Sequence, residues 1–395
     1  MKRFFSYTIL SFFLLLLPTG QASANNNDSI RLSLLTCAPG EEIYSLFGHT
    51  AIRYENSLQG IDVVFNYGLF SFNTPNFIFR FSLGETDYQL GATDYERFAA
   101  EYAFFGRSVW QQTLNLTDEE KTELIRLLQE NYRPENRVYR YNFFYDNCAT
   151  RPRDKIEESI AGKVIYPAEP QDGSLTFRDI VHQYCKGHPW ARFGIDLCIG
   201  SEADQPITQR QMMFAPFYLM DAFDGAQIKG DSIQRPLITA NELVVDATPE
   251  PDESDWMPTP LQCSLLLFIL TAAATIYGIR RRTGLWGIDL FLFGIAGIVG
   301  CVLAFLALFS QHPAVSSNFL LLVFHPGQLL FLPYIIYCVR KGKKCWYLTL
   351  NLAVLTLFIV LFPVIPQRFD FAVVPLALVL LIRSASNLIV TSKKK

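Results

Sequence analysis

The chain has 395 residues, enough for two domains, with 50% hydrophobic residues and a formal net charge of −3. A charge so near zero supplies no basic footprint, so no nucleic-acid partner is expected. The average also conceals a division, because the sequence is mixed before about residue 245 and strongly apolar after Leu261.

The N-terminus reads Met1-Lys2-Arg3-Phe4, then an apolar run from Tyr7 to Pro18, then Ala22-Ser23-Ala24. A basic start, a short apolar core and an A-x-A site predict a signal peptide over 1–24, cleaved after Ala24. The run is too short for a span, which needs ~20 residues. No cysteine follows the site, so lipid attachment there is not expected. An exported segment can keep disulfides, and it carries Cys37, Cys148, Cys185 and Cys198. Cys185 and Cys198 lie close in sequence around a Gly-x-Pro-Trp loop and are expected to pair; the alternative is two buried free thiols.

In chain order, 30–38 alternates as a strand and Pro39-Gly40 breaks it. Glu41 to Phe47 suggests a short helix. Gly48–Tyr54 and Ile61–Phe70 read as a β-hairpin. Thr117-Asp118-Glu119-Glu120 is a capping box opening an amphipathic helix with Leu124, Leu127 and Leu128 on its apolar side. Tyr139 to Tyr145 is aromatic and strand-like, and Arg151 to Ile160 has helical spacing. Thr176–Cys185 reads as another helix. Met212–Phe223 is apolar and aromatic, suited to the core or to resting on lipid. Residues 244–260 hold four prolines' worth of breaks and an excess of acids, the composition of a solvated linker.

Five apolar stretches follow, at about Leu261–Ile279, Gly287–Phe309, Phe319–Val339, Trp346–Phe362 and Phe371–Val390. Each approaches the length that crosses ~30 Å of hydrocarbon. Arg280-Arg281-Arg282, the basic turn at Arg340–Lys344 and Lys393–Lys395 fall on one side; the opposite loops hold only Arg368. The positive-inside rule makes the basic side cytoplasmic, in accord with an exported N-terminus. Arg383, inside the fifth stretch, is expected to snorkel, or else to line a cavity. His325-Pro326-Gly327 breaks the third stretch, either as a kink or as a polar lining of a groove. His312 sits in an outer loop.

Candidate chemistry is upstream of the spans. A thiol needs activation to act as a nucleophile near neutral pH. Asp146 or Asn147 can cap the following helix, which puts Cys148 in its first turn, where the macrodipole favours a thiolate. Among the exported histidines, His49 lies on a core strand, whereas His182 and His188 sit near the cysteine pair. If Tyr54 pairs with Ile61, the same register sets Asn66 opposite His49, on one face, able to orient the ring. A one-residue slip would lose that face. Cys37 is a rival thiol with no helix start after it, and core packing is its expected role. No His/Cys/carboxylate group has metal-ligand spacing, and no cofactor motif occurs.

A strand-borne Gly-His followed far downstream by Asn-Cys before a helix resembles the circularly permuted papain-like arrangement of lecithin:retinol acyltransferase relatives and NlpC/P60-like proteins. More closely, four segments resemble the Lnb-type (DUF4105) family of Bacteroidetes. They are Leu35-Thr36-Cys37-Ala38-Pro39-Gly40, Phe47-Gly48-His49-Thr50-Ala51-Ile52-Arg53, Phe65-Asn66-Tyr67-Gly68 and Tyr141 through Asp146-Asn147-Cys148-Ala149-Thr150-Arg151. The resemblance implies an α+β chain. Its parts would be an exported papain-like catalytic domain over 25–243, the linker, and an all-α domain of five spans over 261–395. It also implies lipoprotein N-acyltransferase activity, with Cys148 as nucleophile and His49 as base; Asn66 rests on the register. The partners would be a membrane phospholipid as acyl donor and lipid-modified lipoproteins as acceptors, at the inner membrane, without a cofactor. The alternative is an exported cysteine amidase or peptidase acting on cell-wall peptides.

Overall fold

The computed structural model describes residues 29–71, 73, 75–230, 234–247 and 257–392. The expected signal peptide, most of the linker and the Lys393–Lys395 tail lie outside the described residues.

The N-terminal part is built on an antiparallel sheet of β1 (Ile30–Cys37), β2 (His49–Asn56), β3 (Ile61–Leu69), β4 (Asp87–Asp94), β5 (Val109–Leu114), β6 (Val138–Arg140) and, after the small sheet β7 (Lys163–Ile165), β8 (Gln227–Lys229), β9 (Gln234–Pro236), the returning β10 (Ile238–Val245). The order is β10-β5-β1-β2-β3-β4-β6. Its helices are α1 (Phe77–Leu83), α2 (Tyr95–Phe104), α3 (Asp118–Tyr132), α4 (Thr150–Ser159), α5 (Phe177–Tyr184), α6 (Pro189–Cys198), α7 (Gln209–Met212) and α8 (Pro216–Asp224). Six of the eight β1 residues are buried, because helices cover both faces of the sheet. Leu35, Cys37, Ala51 and Val64 pack with Phe98 of α2. Leu32, Leu34, Ile52 and Phe65 pack with Leu124 and Leu128 of α3 and Ile156 of α4. Burying such a side chain stabilises by ~1.5–3 kcal/mol. The capping box at Thr117 and Glu120 opens α3.

Several local expectations are corrected. Glu41–Phe47 forms turns, with Gly40 N–H bonded to Ser45 O and Gly48 N–H to the same carbonyl; so short a segment between glycines cannot offset helix nucleation. The strand expected over Tyr139–Tyr145 stops at Arg140, since Asn142 Oδ1 accepts from the backbone of Phe144 and Tyr145 and turns the chain. Cys185 and Cys198 are both free. Cys185 follows α5 and Cys198 ends α6, ten residues or about 15 Å from the connecting turn, whereas a disulfide needs Cα atoms within ~7 Å. Phe214 and Phe223 are buried, so that aromatic segment is core. β10 runs through Val244 and Val245, into the stretch whose composition reads as linker.

The C-terminal region is helical, with α9 (Pro260–Arg281), α10 (Trp286–Phe309), α11 (Pro326–Leu330), α12 (Leu332–Lys341), α13 (Trp346–Leu361) and α14 (Val373–Ser392). By length and apolarity α9, α10 and α14 can each cross a membrane, and the segment containing α11 and α12 adds a fourth crossing if its 74° bend belongs to one span. With 16 residues, α13 covers about 24 Å. That bend falls at Phe331, between α11 and α12; the chain is also interrupted at His325, which is extended before α11 and whose Nε2 lies 3.2 Å from Asn351 Oδ1. Gly300 of α10 lies so close to the His325 backbone that a Cβ there would sit 2.4 Å from its nitrogen. Arg383 does not snorkel. It is 2% exposed and bonds both Asp289 oxygens, at 2.7 and 3.0 Å, and Thr275 Oγ1 at 3.0 Å. A partner for this charge one helix away outweighs reaching for water.

The two parts dock through polar contacts. Arg178 is fully buried and bonds Asp196 at 2.6 Å and Asp204 at 2.8 Å. Arg368, from the loop between α13 and α14, reaches the same Asp204, Asp179 and Thr176. Gly200 and Ser201 donate to Ala314 O and Ser317 O in the loop after α10. The basic turns lie at the other end of the bundle. Gly284 touches Val339 and Arg340 covers Trp286, one α10 length, or about 36 Å for 24 residues, from the docking loop.

Candidate active site

β2 begins at His49 because Gly48 turns the chain in sharply beside β1. Its φ is +77°, and a Cβ there would stand 2.6 Å from Cys37 O, so the position requires glycine. Cys37 is the cross-strand partner of His49. The β2–β3 register pairs Tyr54 with Val63 and Ala51 with Asn66, a two-residue correction to the expected pairing of Tyr54 with Ile61. A slip of two preserves the face, since side chains alternate with period two. Asn66 therefore still reaches the ring diagonally, with Oδ1 3.2 Å from His49 Nε2. With Nε2–H donating to that oxygen, Nδ1 is the basic nitrogen.

Cys148 stands in the turn before α4 rather than in its first turn. Asn147 is the local cap: its Oδ1 accepts from Ala149 N–H at 2.8 Å and Thr150 N–H at 2.9 Å, and its Nδ2 donates to Phe143 O and Phe214 O. Those two amides are thus occupied. The Cys148 thiol meets its own N–H and the backbone of Thr50, the residue after His49. Pairing of β2 with β3 starts only at Ala51, which leaves this end of β2 open towards the thiol. Gly68, at φ +89°, lies across from it; a Cβ there would be 3.5 Å from that of Cys148 and 4.0 Å from Tyr139 Oη.

Burial governs the electrostatics. Desolvation pushes the Cys148 thiol up to about 11, against smaller lowering by the Thr50 and Cys148 backbones. It pushes the His49 imidazole down to about 4; the Asn66 bond opposes this and the nearby Arg107 charge adds to it. At neutral pH both groups are uncharged. Cys37 is wholly buried and pushed still higher, to about 12.

The residues singled out from sequence thus gather at one end of the sheet: His49 and Asn66 in direct contact, Cys148 against the neighbouring backbone. Sequence reasoning missed Arg107, which donates to Ala38 O at 2.8 Å, and Tyr102, which bonds Cys37; neither lies in a recognisable motif. It also assigned no role to Tyr139, whose hydroxyl is buried with no hydrogen-bond partner. Among the described residues no group of three or more His, Cys, Asp or Glu side chains could hold a metal ion. A cleft of about 430 Å³ near His182 and Cys185 includes none of the three residues in its lining.

A sheet domain with a part-buried thiol and imidazole at one end, clamped to a bundle of apolar helices, defines a membrane protein with a water-exposed domain. Residues 20–182 match the Lnb N-terminal periplasmic domain and residues 252–395 match the Lnb transmembrane domain. The chain belongs to the Lnb-type family. Membership fits a membrane-bound enzyme with a periplasmic domain. No curated protein and no solved structure matches the chain.

Proposed function

We propose that this protein is a lipoprotein N-acyltransferase working at the outer face of the inner membrane, with Cys148 as nucleophile, His49 as base and Asn66 as the group that orients the ring. The observation that carries the reading is the Cys148 thiol against the backbone of Thr50, the residue after His49, whose imidazole is held by Asn66. The fold would be a permuted papain-like domain. The remaining topology would be a cleaved signal peptide over 1–24 and five crossings, with α13 and the bent α11–α12 segment each spanning.

The thiol attacks the acyl carbonyl of a phospholipid ester. Its proton passes to His49 Nδ1 as the S–C bond forms, and then to the leaving alkoxide as the C–O bond breaks, releasing a lysophospholipid. The neutral α-amine of a diacylglyceryl-cysteine lipoprotein next attacks the thioester. The N–C bond forms, C–S breaks, and His49 relays the amine proton to sulfur. An amide is more stable than a thioester, so neither step requires a nucleotide or other cofactor. With the Ala149 and Thr150 amides held by Asn147, the Cys148 and Thr50 backbones beside the sulfur and Tyr139 Oη are the donors left for the oxyanion.

The test is to supply full-length protein with phospholipid alone and examine the Cys148 peptide. A fatty acyl group released by hydroxylamine is expected, and it should pass to a lipoprotein amine on addition of acceptor. Turnover by a Cys148→Ala protein, an acyl group on Cys37 instead, or cleavage of cell-wall peptides without acyl transfer would overturn the reading.

A further inference from the structure

Helix α1 reads Phe-Ile-Phe-Arg-Phe-Ser-Leu and none of its residues is buried. Ile78 is 79% exposed, Phe79 58% and Phe81 43%. So much contiguous apolar surface marks a contact with something apolar. Its attachment says what. Gln311 N–H donates to Leu83 O at 2.8 Å, and His312 Nε2 to Phe81 O at 2.6 Å, which fixes α1 against the outer end of α10. The Phe79 ring packs on Phe305 at 5.7 Å, four residues or about 6 Å below the α10 terminus at Phe309. Leu308 and Phe309 are themselves 75% and 64% exposed on that membrane-crossing helix. The exposed face of α1 is therefore continuous with the lipid-facing surface of α10.

From the other side of α1 a stack of rings leads inward. Phe77 lies 5.5 Å from Phe70, Phe70 5.0 Å from Tyr88, and Tyr88 4.1 Å from Tyr141, each pair within about 21° of parallel. Tyr141 packs against the same core as Cys148, and Phe70 is two residues beyond Gly68, the glycine that faces the thiol.

We propose that α1 lies in the outer leaflet of the bilayer, and that the ring stack Phe77–Phe70–Tyr88–Tyr141 guides a phospholipid acyl chain from it to Cys148. This rests on the acyl-transfer reading of Cys148 for its second half and is independent of it for the first.

The experiment uses full-length protein in phosphatidylethanolamine–phosphatidylglycerol nanodiscs, with a benzoylphenylalanine photocrosslinker replacing Ile78 or Leu58. Leu58 is also exposed, but lies at the far end of the β2–β3 hairpin, roughly 25–30 Å away at 3.3 Å per strand residue. Lipid adducts are expected from position 78 and not from 58. No adduct at 78, or equal adducts at both, overturns the interfacial placement. For the path, Ile78→Asp with Phe79→Asp should slow Cys148 loading from bilayer phospholipid at least about tenfold, while a water-soluble short-chain ester loads within about twofold. Equal losses with both donors overturn the path. A wild-type protein that loads from neither donor overturns the path with the acyl-transfer reading, and the crosslinking result still decides the placement of α1.

Discussion

Substitutions of Asn66 should move the acid limb of Cys148 loading in opposite directions according to what replaces it. Asn66 Oδ1 sits 3.2 Å from His49 Nε2, and the ring otherwise titrates near 4 because it is desolvated. Asn66→Asp puts an anion at that distance. An adjacent opposite charge favours the imidazolium by about 1–3 pKa units, which lifts His49 to between about 5 and 7. The base is active only when neutral, so the variant should lose rate as pH falls through that window, by roughly half at pH 6 for a mid-range shift. The wild-type protein stays flat there. Asn66→Ala removes the bond that favours the charged ring, so its limb moves down. Its plateau should fall by ~10² because the ring is no longer aimed. The assay is single-turnover loading from phospholipid, read by intact mass between about pH 4 and 9. Limbs that coincide in all three proteins would refute the assignment of His49 as base and Asn66 as its partner.

Three further outcomes are expected. Because burial raises the Cys148 thiol to about 11, its alkylation by iodoacetamide should keep accelerating past pH 9; a plateau near 8.5, the value of an ordinary thiol, would contradict the buried setting. Tyr139→Phe should slow loading by about 10² without lowering the melting temperature, since the hydroxyl has no partner in the resting protein; an unchanged rate removes it from the oxyanion site. Arg383→Met leaves Asp289 unpaired among the helices and should destabilise by ~3–5 kcal/mol, whereas Arg383→Met with Asp289→Leu should recover most of this in micelle unfolding. A double variant as unstable as the single one would mean that packing, and not the ion pair, accounts for the loss.

The elements that set the site were readable where the signal was local. The capping box at Thr117 and the hairpin around 56–60 each depend on a few adjacent residues, and each occurs; Asn147 binds the amides of Ala149 and Thr150, but the helix starts two residues later than its expected cap would set it. The membrane region was legible as apolar runs with an interruption at His325-Pro326-Gly327, but the 74° bend at Phe331 and the contacts between helices were not. Only the fold reveals that Gly300 admits the His325 backbone and that Asp289 reaches Arg383 across 94 positions of sequence. Register was half legible: alternation fixes which face Asn66 occupies, while the exact partner depends on the turn. Arg107 and Tyr102 act through contacts between separate strands and helices, for which a single sequence has no pattern.

The resting charges of the site also bear on how such an enzyme would avoid wasting its substrate. A thiol near 11 and an imidazole near 4 are both neutral at pH 7, so no standing thiolate waits for water-borne electrophiles. The proton must then move as the acyl carbonyl arrives, and only a donor that fills the site can bring this about. Docking serves that requirement. Arg178 and Arg368 converge on Asp204 and fix the domain on the helix loops, so the height of Cys148 above the bilayer is set by the fold. A lipid carbonyl held near that height by its own headgroup then has a short distance to travel, and the neutral pair becomes selective through access rather than through intrinsic reactivity.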